Sequence, residues 1–169
     1  MALREVMTYP HPLLRKKSQP VEAVTGEIRQ LIDDMAETMY SQRGVGLAAV
    51  QIGVHLRVII VDVGEGLVAL INPEALERSG EAQMEEGCLC LPGVTVEVAR
   101  SEKITVRGRN EKGEAVTIPA GGLLARALQH EMEHLDGILI VDKVSRLKRE
   151  LLTSRLRKEA KERAAERKG

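Results

Sequence analysis

A chain of 169 residues and 18.6 kDa is long enough to bury a core without staples, and its two cysteines, Cys88 and Cys90, stand too close together to build a loop-closing disulfide framework. With no Phe or Trp and only two Tyr, the core falls to Leu, Ile, Val, Ala and Met, which excludes recognition of nucleobases or sugars on aromatic platforms. Formal charge is zero, yet residues 142–169 hold eleven Lys/Arg against five Asp/Glu, so a basic tail is balanced by an acidic body.

The first 24 residues combine Tyr9-Pro10-His11-Pro12, a basic Arg15-Lys16-Lys17 and Pro20, a pattern of turns and extended chain that predicts a segment wrapped around the domain. From Ile28 the apolar residues Ile28, Leu31, Ile32, Met35 and Met39 recur at helical spacing through Tyr40. Gly44-Val45-Gly46 follows, and its glycines are read as positions free to adopt backbone angles closed to other residues, letting a ligand approach closely. No Gly-Lys-Ser/Thr ending is present, so a nucleotide-triphosphate loop is not expected. Residues 56–63 and 67–71 predict strands joined around Gly64-Glu65-Gly66, and residues 94–99, 104–109 and 115–118 predict shorter ones. Because these strands cluster before the next helix instead of alternating with helices, the predicted class is α+β.

That helix is predicted over about 123–135, between Gly121-Gly122 and Gly137, with Leu123, Ala127, His130 and His134 along one face and Arg126 read as solvent-facing or, alternatively, at a pocket rim where it shifts substrate preference. Leu147, Leu151, Leu152 and Leu156 predict a C-terminal helix whose last residues are frayed or solvent-facing. No linker or internal repeat interrupts residues 1–169, which are read as a single domain with a basic C-terminal helix or tail at about 142–169. No charged leader precedes an apolar run, and no run approaches the roughly 18 apolar residues that span a bilayer. The expectation is a cytoplasmic chain with no membrane or DNA partner.

The most informative stretch is His130-Glu131-Met132-Glu133-His134, where two imidazoles stand one helical turn apart with a carboxylate beside the first. A metal between the rings with Glu131 as proton carrier makes a hydrolase; a charged helix face with two incidental histidines is the bland alternative. Two histidines leave a catalytic metal short of ligands, and Cys88 in Glu85-Glu86-Gly87-Cys88-Leu89-Cys90 is the best third donor, against the alternative of ordinary buried thiols.

Three segments in order, residues 44–51, 86–90 and 129–136, resemble the motifs of the bacterial peptide deformylase family, and Thr8-Tyr9-Pro10, Asn72-Pro73 and Leu135-Asp136-Gly137 extend the resemblance over most of the first 140 residues. The resemblance implies a compact peptide-deformylase-like fold, with antiparallel or mixed sheets around a central HExxH helix and a helix at the C-terminus. It implies Cys88, His130 and His134 as metal ligands, Glu131 as the acid–base residue, and Gln51 with the Leu89 backbone N–H as oxyanion donors. It implies one divalent ion per chain, Fe(II) first, with Zn(II), Ni(II) or Co(II) as substitutes. The implied reaction removes the formyl group from the N-terminal formylmethionine of nascent polypeptides and releases formate. Gly44, Val45, Gly46, Leu89, Leu123 and Ala127 are the expected substrate-binding positions, the first three by strand addition, with Leu123 equally readable as core.

The chain departs from the family pattern at Cys90, where the family usually has serine, and at Ile71, where many relatives carry an aromatic residue. The basic tail is also expected to touch the ribosome, as attributed to some family members, and the chain is expected to be a monomer. A general zinc endopeptidase and a non-enzymatic, metal-stabilised ribosome-binding protein are the rival readings.

Overall fold

The computed structural model describes residues 2–168. The predicted first helix is α1, Gly26–Ser41, and its apolar stripe of Ile28, Leu31, Ile32, Met35 and Met39 is buried. The expected wrapping of the N-terminal segment is visible in its hydrogen bonds: Met7 N–H donates to Gln51 O, Tyr9 N–H to Cys90 O and Ser18 N–H to Leu135 O.

Seven strands follow the antiparallel pattern: β1 Gly46–Ala48, β2 Val58–Val61, β3 Val68–Ser79, β4 Ala82–Gly87, β5 Thr95–Arg100, β6 Lys103–Arg109 and β7 Ala115–Gly121. They form a five-stranded sheet in the order β1-β2-β3-β6-β7 and a separate ribbon, β4-β5. Helix α2, Gly122–His134, and helix α3, Arg146–Lys168, complete the fold. Among the described residues no helix is long and apolar enough to cross a membrane.

The unbroken apolar run Val58-Ile59-Ile60-Val61 is explained by its two neighbours. Successive side chains of a strand point to opposite faces. Val58 and Ile60 join α1 and Leu47 in one cluster, while Ile59 and Val61 join Leu128 and Leu135 of α2 and its flank in another. The sheet is therefore covered by α1 on one face and α2 on the other. A third cluster, with Tyr9, Leu14, Leu91, Val96, Val98, Val141 and Leu156, seats the ribbon against the chain termini.

Two strands escape the sequence reading. β1 is only three residues long, and β4, Ala82–Gly87, is largely exposed and rich in Glu and Gln, so neither carries an apolar alternation to detect. The predicted strand over 67–71 continues to Ser79, its outer half exposed but paired with β6 through register shifts. The C-terminal helix extends to Lys168 without fraying within the described residues, and Leu156 is 1% exposed in the third cluster. The last turns are solvent-facing as expected, with only Arg163 half-buried between Lys161 and Lys168.

Candidate active site

Helix α2 begins where Gly122, at φ +56, leaves β7, and Gly137, at φ +74, ends the turn beyond it. Gly137 also lies against the Arg15 backbone so closely that a Cβ would overlap it, which fixes the exit of the helix beneath the N-terminal segment. Between these glycines, the i, i+4 spacing brings His130 Nε2 and His134 Nε2 to 3.2 Å. The turn after β4 delivers Cys88, with its Sγ 3.3 Å from His134 Nε2. All three donor atoms lie within 4.8 Å of one another.

These separations fit a metal. Bonds of about 2.0–2.1 Å to nitrogen and 2.3 Å to sulfur, arranged tetrahedrally, set ligand atoms about 3.3–3.6 Å apart. The thiol chemistry agrees: the hydrogen bond from Cys90, followed by the charges and hydrogen bonds of the two histidines, holds Cys88 well below the usual thiol range despite its burial. Cys90 is pushed the other way, by the hydrogen bond to Cys88 and by burial, and its Sγ lies 3.2 Å from Cys88 Sγ. Cys90 is not among the converging donor atoms.

Glu131 points its carboxylate at the edge of β1. Its Oε1 is buried with no hydrogen-bond partner among the described residues, and burial raises its pKa above the ordinary carboxylate value. Gly46 makes room for it: a Cβ there would sit 2.5 Å from Glu131 Oε2 and 2.9 Å from its Cγ. A Cβ on Gly44 would likewise approach Leu89 Cδ1 to 3.0 Å. Neither glycine occupies the left-handed region, so these positions require the absence of a side chain and not the backbone freedom read from the sequence. Gly46→Ala is expected to displace the Glu131 carboxylate and lower kcat about 100-fold with metal content unchanged, as checked by steady-state kinetics and metal analysis.

Gln51 lies in the single turn after β1. Its Oε1 accepts from Ala48 N–H at 2.8 Å, which orients the amide so that Nε2 faces the site, 3.6 Å from Cys88 Sγ. A cleft of about 540 Å³ opens beside these groups, lined by Gly44, Val45, Gly46, Leu89, Leu123, Ala127, His130 and Glu131 among others. Every expected substrate-binding residue therefore reaches one cavity. Leu123, 47% exposed, belongs to its wall and not to the core.

Arg126 lines the cleft, as the alternative reading had it, but its solvent-facing reading fails. It is buried, not solvent-facing, and its guanidinium donates to Glu86 Oε2 at 2.5 Å, Val98 O at 2.9 Å and Ala82 O at 2.7 Å. Arg100 donates to both oxygens of Glu86 at 2.6 and 2.9 Å and to Glu133 at 2.7 Å, while Lys143 pairs with the other Glu133 oxygen. Glu86 Oε1 lies 2.9 Å from His130 Nδ1. Burial alone would raise the Glu86 pKa, but His130, Arg100 and Arg126 hold it at about 2. The ionised carboxylate orients the imidazole, so that Nε2 is left facing the cluster. A basic residue four positions before His130, on a helix face otherwise apolar, was the available signal for a buried carboxylate partner.

The chain matches the family model described as polypeptide deformylase over residues 3–150. This chain belongs to the polypeptide deformylase family. It is 53% identical to the peptide deformylase of Carboxydothermus hydrogenoformans over 149 residues, 88% of this chain and 98% of that one. Identity to the peptide deformylase of Halothermothrix orenii is 51%, over 90% of this chain and all of the relative, with 100% coverage. Among solved structures, a peptide deformylase from Ehrlichia chaffeensis in complex with actinonin superposes with a TM-score of 0.92 at 37% identity, covering 94% of this chain and 98% of that one. A peptide deformylase from Legionella pneumophila gives 0.91 at 42% identity, with 96% and 98% covered. The α+β architecture with its C-terminal helix is thus the deformylase fold, and Cys88, His130 and His134 form the one cluster among the described residues that could hold a metal ion.

Proposed function

We infer that this chain hydrolyses the formamide bond at the N-terminal formylmethionine of nascent polypeptides, yielding formate and a free amine. The observation that carries the reading is the convergence of Cys88, His130 and His134 beside the unpartnered Glu131 carboxylate, within a chain of deformylase sequence and fold. We assign Fe(II) to the three donors on the family resemblance, because a Cys/His₂ set equally accommodates Zn(II), Ni(II) and Co(II). When bound, the ion supplies Lewis acidity toward water and toward the substrate carbonyl.

The rest of the chemistry belongs to the chain's own groups. Glu131, with its basicity raised by burial, takes a proton from the attacking water and returns it to the departing amine nitrogen. The Gln51 Nε2 amide and the Leu89 backbone N–H donate to the oxygen that becomes negative as amide resonance is lost. Because Ala48 N–H already holds the Gln51 Oε1, the donor is oriented before substrate arrives. Gln51→Ala is expected to lower kcat about 100- to 1,000-fold with a smaller change in KM, as read from initial rates on a formylated tripeptide.

The unbranched side chain of the first residue fits the cleft between Leu123 and Ala127, whose surface is mainly apolar. Strand β1 is at the edge of the five-stranded sheet, so an extended peptide can add beside Gly44–Gly46 by backbone hydrogen bonds. Ribosome contact is supported by Arg146, Lys148, Arg155 and Lys158, which stand exposed along α3. Arg157 is engaged inward, donating to Tyr9 Oη at 3.1 Å. Since Leu156 is core, the contact is best tested by neutralising Lys148 and Lys158 and measuring co-sedimentation, not by removing the helix. We take the chain to act as a monomer.

Mass analysis of formyl-Met-Ala-Ser after incubation with oxygen-free, Fe(II)-loaded protein tests the reading. Deformylation leaves the intact tripeptide with a free N-terminus; cleavage at an internal bond would instead establish the endopeptidase reading.

A further inference from the structure

Cys90 has no task in the reaction, yet it is a second thiol in contact with a metal-binding one. Cys88 Sγ and Cys90 Sγ lie 3.2 Å apart, and both thiols are free. The backbone builds this contact. Leu91 N–H donates to Cys88 O at 3.0 Å, closing a turn with Leu89 and Cys90 at its corners, and Tyr9 N–H donates to Cys90 O at 2.8 Å, fastening the turn to the N-terminal segment. A disulfide bond of about 2.05 Å needs the two sulfurs to close by only about 1.2 Å, a distance that side-chain rotation covers.

The two thiols differ in access. Cys88 is half-buried and lines both the cleft of about 540 Å³ and a neighbouring cavity of about 800 Å³ between the Leu89 turn and α3. Cys90 is 0% exposed and belongs to the cluster that holds Leu14, Leu91, Val94 and Leu139. A peroxide, close to water in size and polarity, meets Cys88 from either cavity, whereas Cys90 is presented to Cys88 and not to solvent.

We propose that Cys88 and Cys90 form a reversible oxidative modification site, in which hydrogen peroxide converts the pair to an intramolecular disulfide and the bound ion is released. The Cys88 sulfur first attacks the peroxide: an S–O bond forms as the O–O bond breaks, leaving a sulfenic acid on Cys88. The other oxygen departs as water, with the Cys88 proton or, where that thiol is already ionised, one from solvent. The Cys90 sulfur then attacks the sulfenic sulfur, so that S–S forms, S–O breaks and the hydroxyl leaves as water with the Cys90 proton. Two thiols and one peroxide thus give one disulfide and two waters, the sulfurs oxidised and the peroxide oxygens reduced.

The disulfide takes the sulfur donor from the metal-binding cluster and leaves two histidines, fewer than the three protein ligands of a catalytic site. Serine at position 90 supplies no second thiol, so Cys88 would advance to the sulfinic or sulfonic acid, which a thiol reductant does not reverse. The proposal rests on the assignment of Cys88 as a metal donor, and not on which bond the enzyme hydrolyses.

The test treats full-length, Zn(II)-loaded wild type and Cys90→Ser with hydrogen peroxide, zinc being chosen because it has no redox chemistry of its own. After alkylation under denaturing conditions, the tryptic peptide of residues 79–100, which holds both cysteines, is weighed and fragmented so that oxygen on Met84 is told from oxygen on Cys88. The wild-type peptide is expected to lose about 2 Da with neither thiol alkylated, its zinc to appear in solution, and dithiothreitol to return both thiols and zinc binding. In Cys90→Ser, Cys88 is expected to gain about 32 or 48 Da and not to recover. Oxygen retained on wild-type Cys88 beside an alkylated Cys90, a disulfide between chains, zinc held by the oxidised pair, thiols untouched by peroxide, or equal recovery in Cys90→Ser would each overturn the proposal. Zinc content and formate release from formyl-Met-Ala-Ser, measured on the same preparations before peroxide, read the metal assignment and the deformylase reading separately.

Discussion

Glu131→Gln is expected to lower kcat about 1,000-fold while leaving the fold and one bound ion per chain intact. The side chain is enclosed, its Oε1 has no partner among the described residues, and burial raises its proton affinity, all of which equip it to accept a proton from water. The amide is nearly isosteric and fits beside Gly46, but it cannot take that proton. The three converging donors lie on Cys88, His130 and His134, so metal retention should not follow activity downward. Kinetics and metal analysis on the same preparation check both halves. A non-enzymatic, metal-stabilised protein would show no formate release for the substitution to remove.

Glu86→Ala is expected to be the most damaging change outside the metal-binding cluster. It leaves Arg100 and Arg126 buried without their shared carboxylate and leaves His130 Nδ1 without its partner. Breaking a buried pair in this way costs about 3–5 kcal/mol, and losing the group that orients a metal-binding imidazole weakens metal affinity about 10- to 100-fold. Denaturant unfolding and competition with a chelator read the two effects separately. Glu86→Gln should retain part of the stability, because the amide still accepts a hydrogen bond.

The same residue sets an acid limit. Its pKa is about 2 in the folded protein, against about 4.3 in an unfolded chain, so the unfolded state binds the proton more readily. Its stabilising contribution is present in full above the unfolded value and is lost as pH falls from there through about 2. The unfolding free energy of Glu86→Gln, from denaturant titrations at successive pH values, should vary less across that window than that of the wild type.

The central helix was legible because its chemistry is local: the i, i+4 histidines and the glycines on either side declare both the helix and its ends. The coming together of Cys88 with that helix was not derivable from spacing alone, and it was the ordered family motifs that suggested it. Arg126 shows where a single sequence misleads. A charged residue is ordinarily assigned to solvent, but its partner Glu86 lies 40 positions away on β4, a strand too polar to be recognised. Gly44 and Gly46 mislead in a subtler way, since glycine advertises backbone freedom while these two are needed for the volume occupied by Leu89 and Glu131. The C-terminal helix was visible from its leucines, but the seating of Leu156 in the cluster beneath the ribbon is a tertiary fact with no local signature.

The most direct test of the account is titration of oxygen-free, metal-stripped protein with Fe(II) while formate release from formyl-Met-Ala-Ser is followed. The account predicts that release rises from near zero and saturates at one ion per chain. A rate indifferent to the ion, or no formate from protein that is folded and fully loaded, would contradict it.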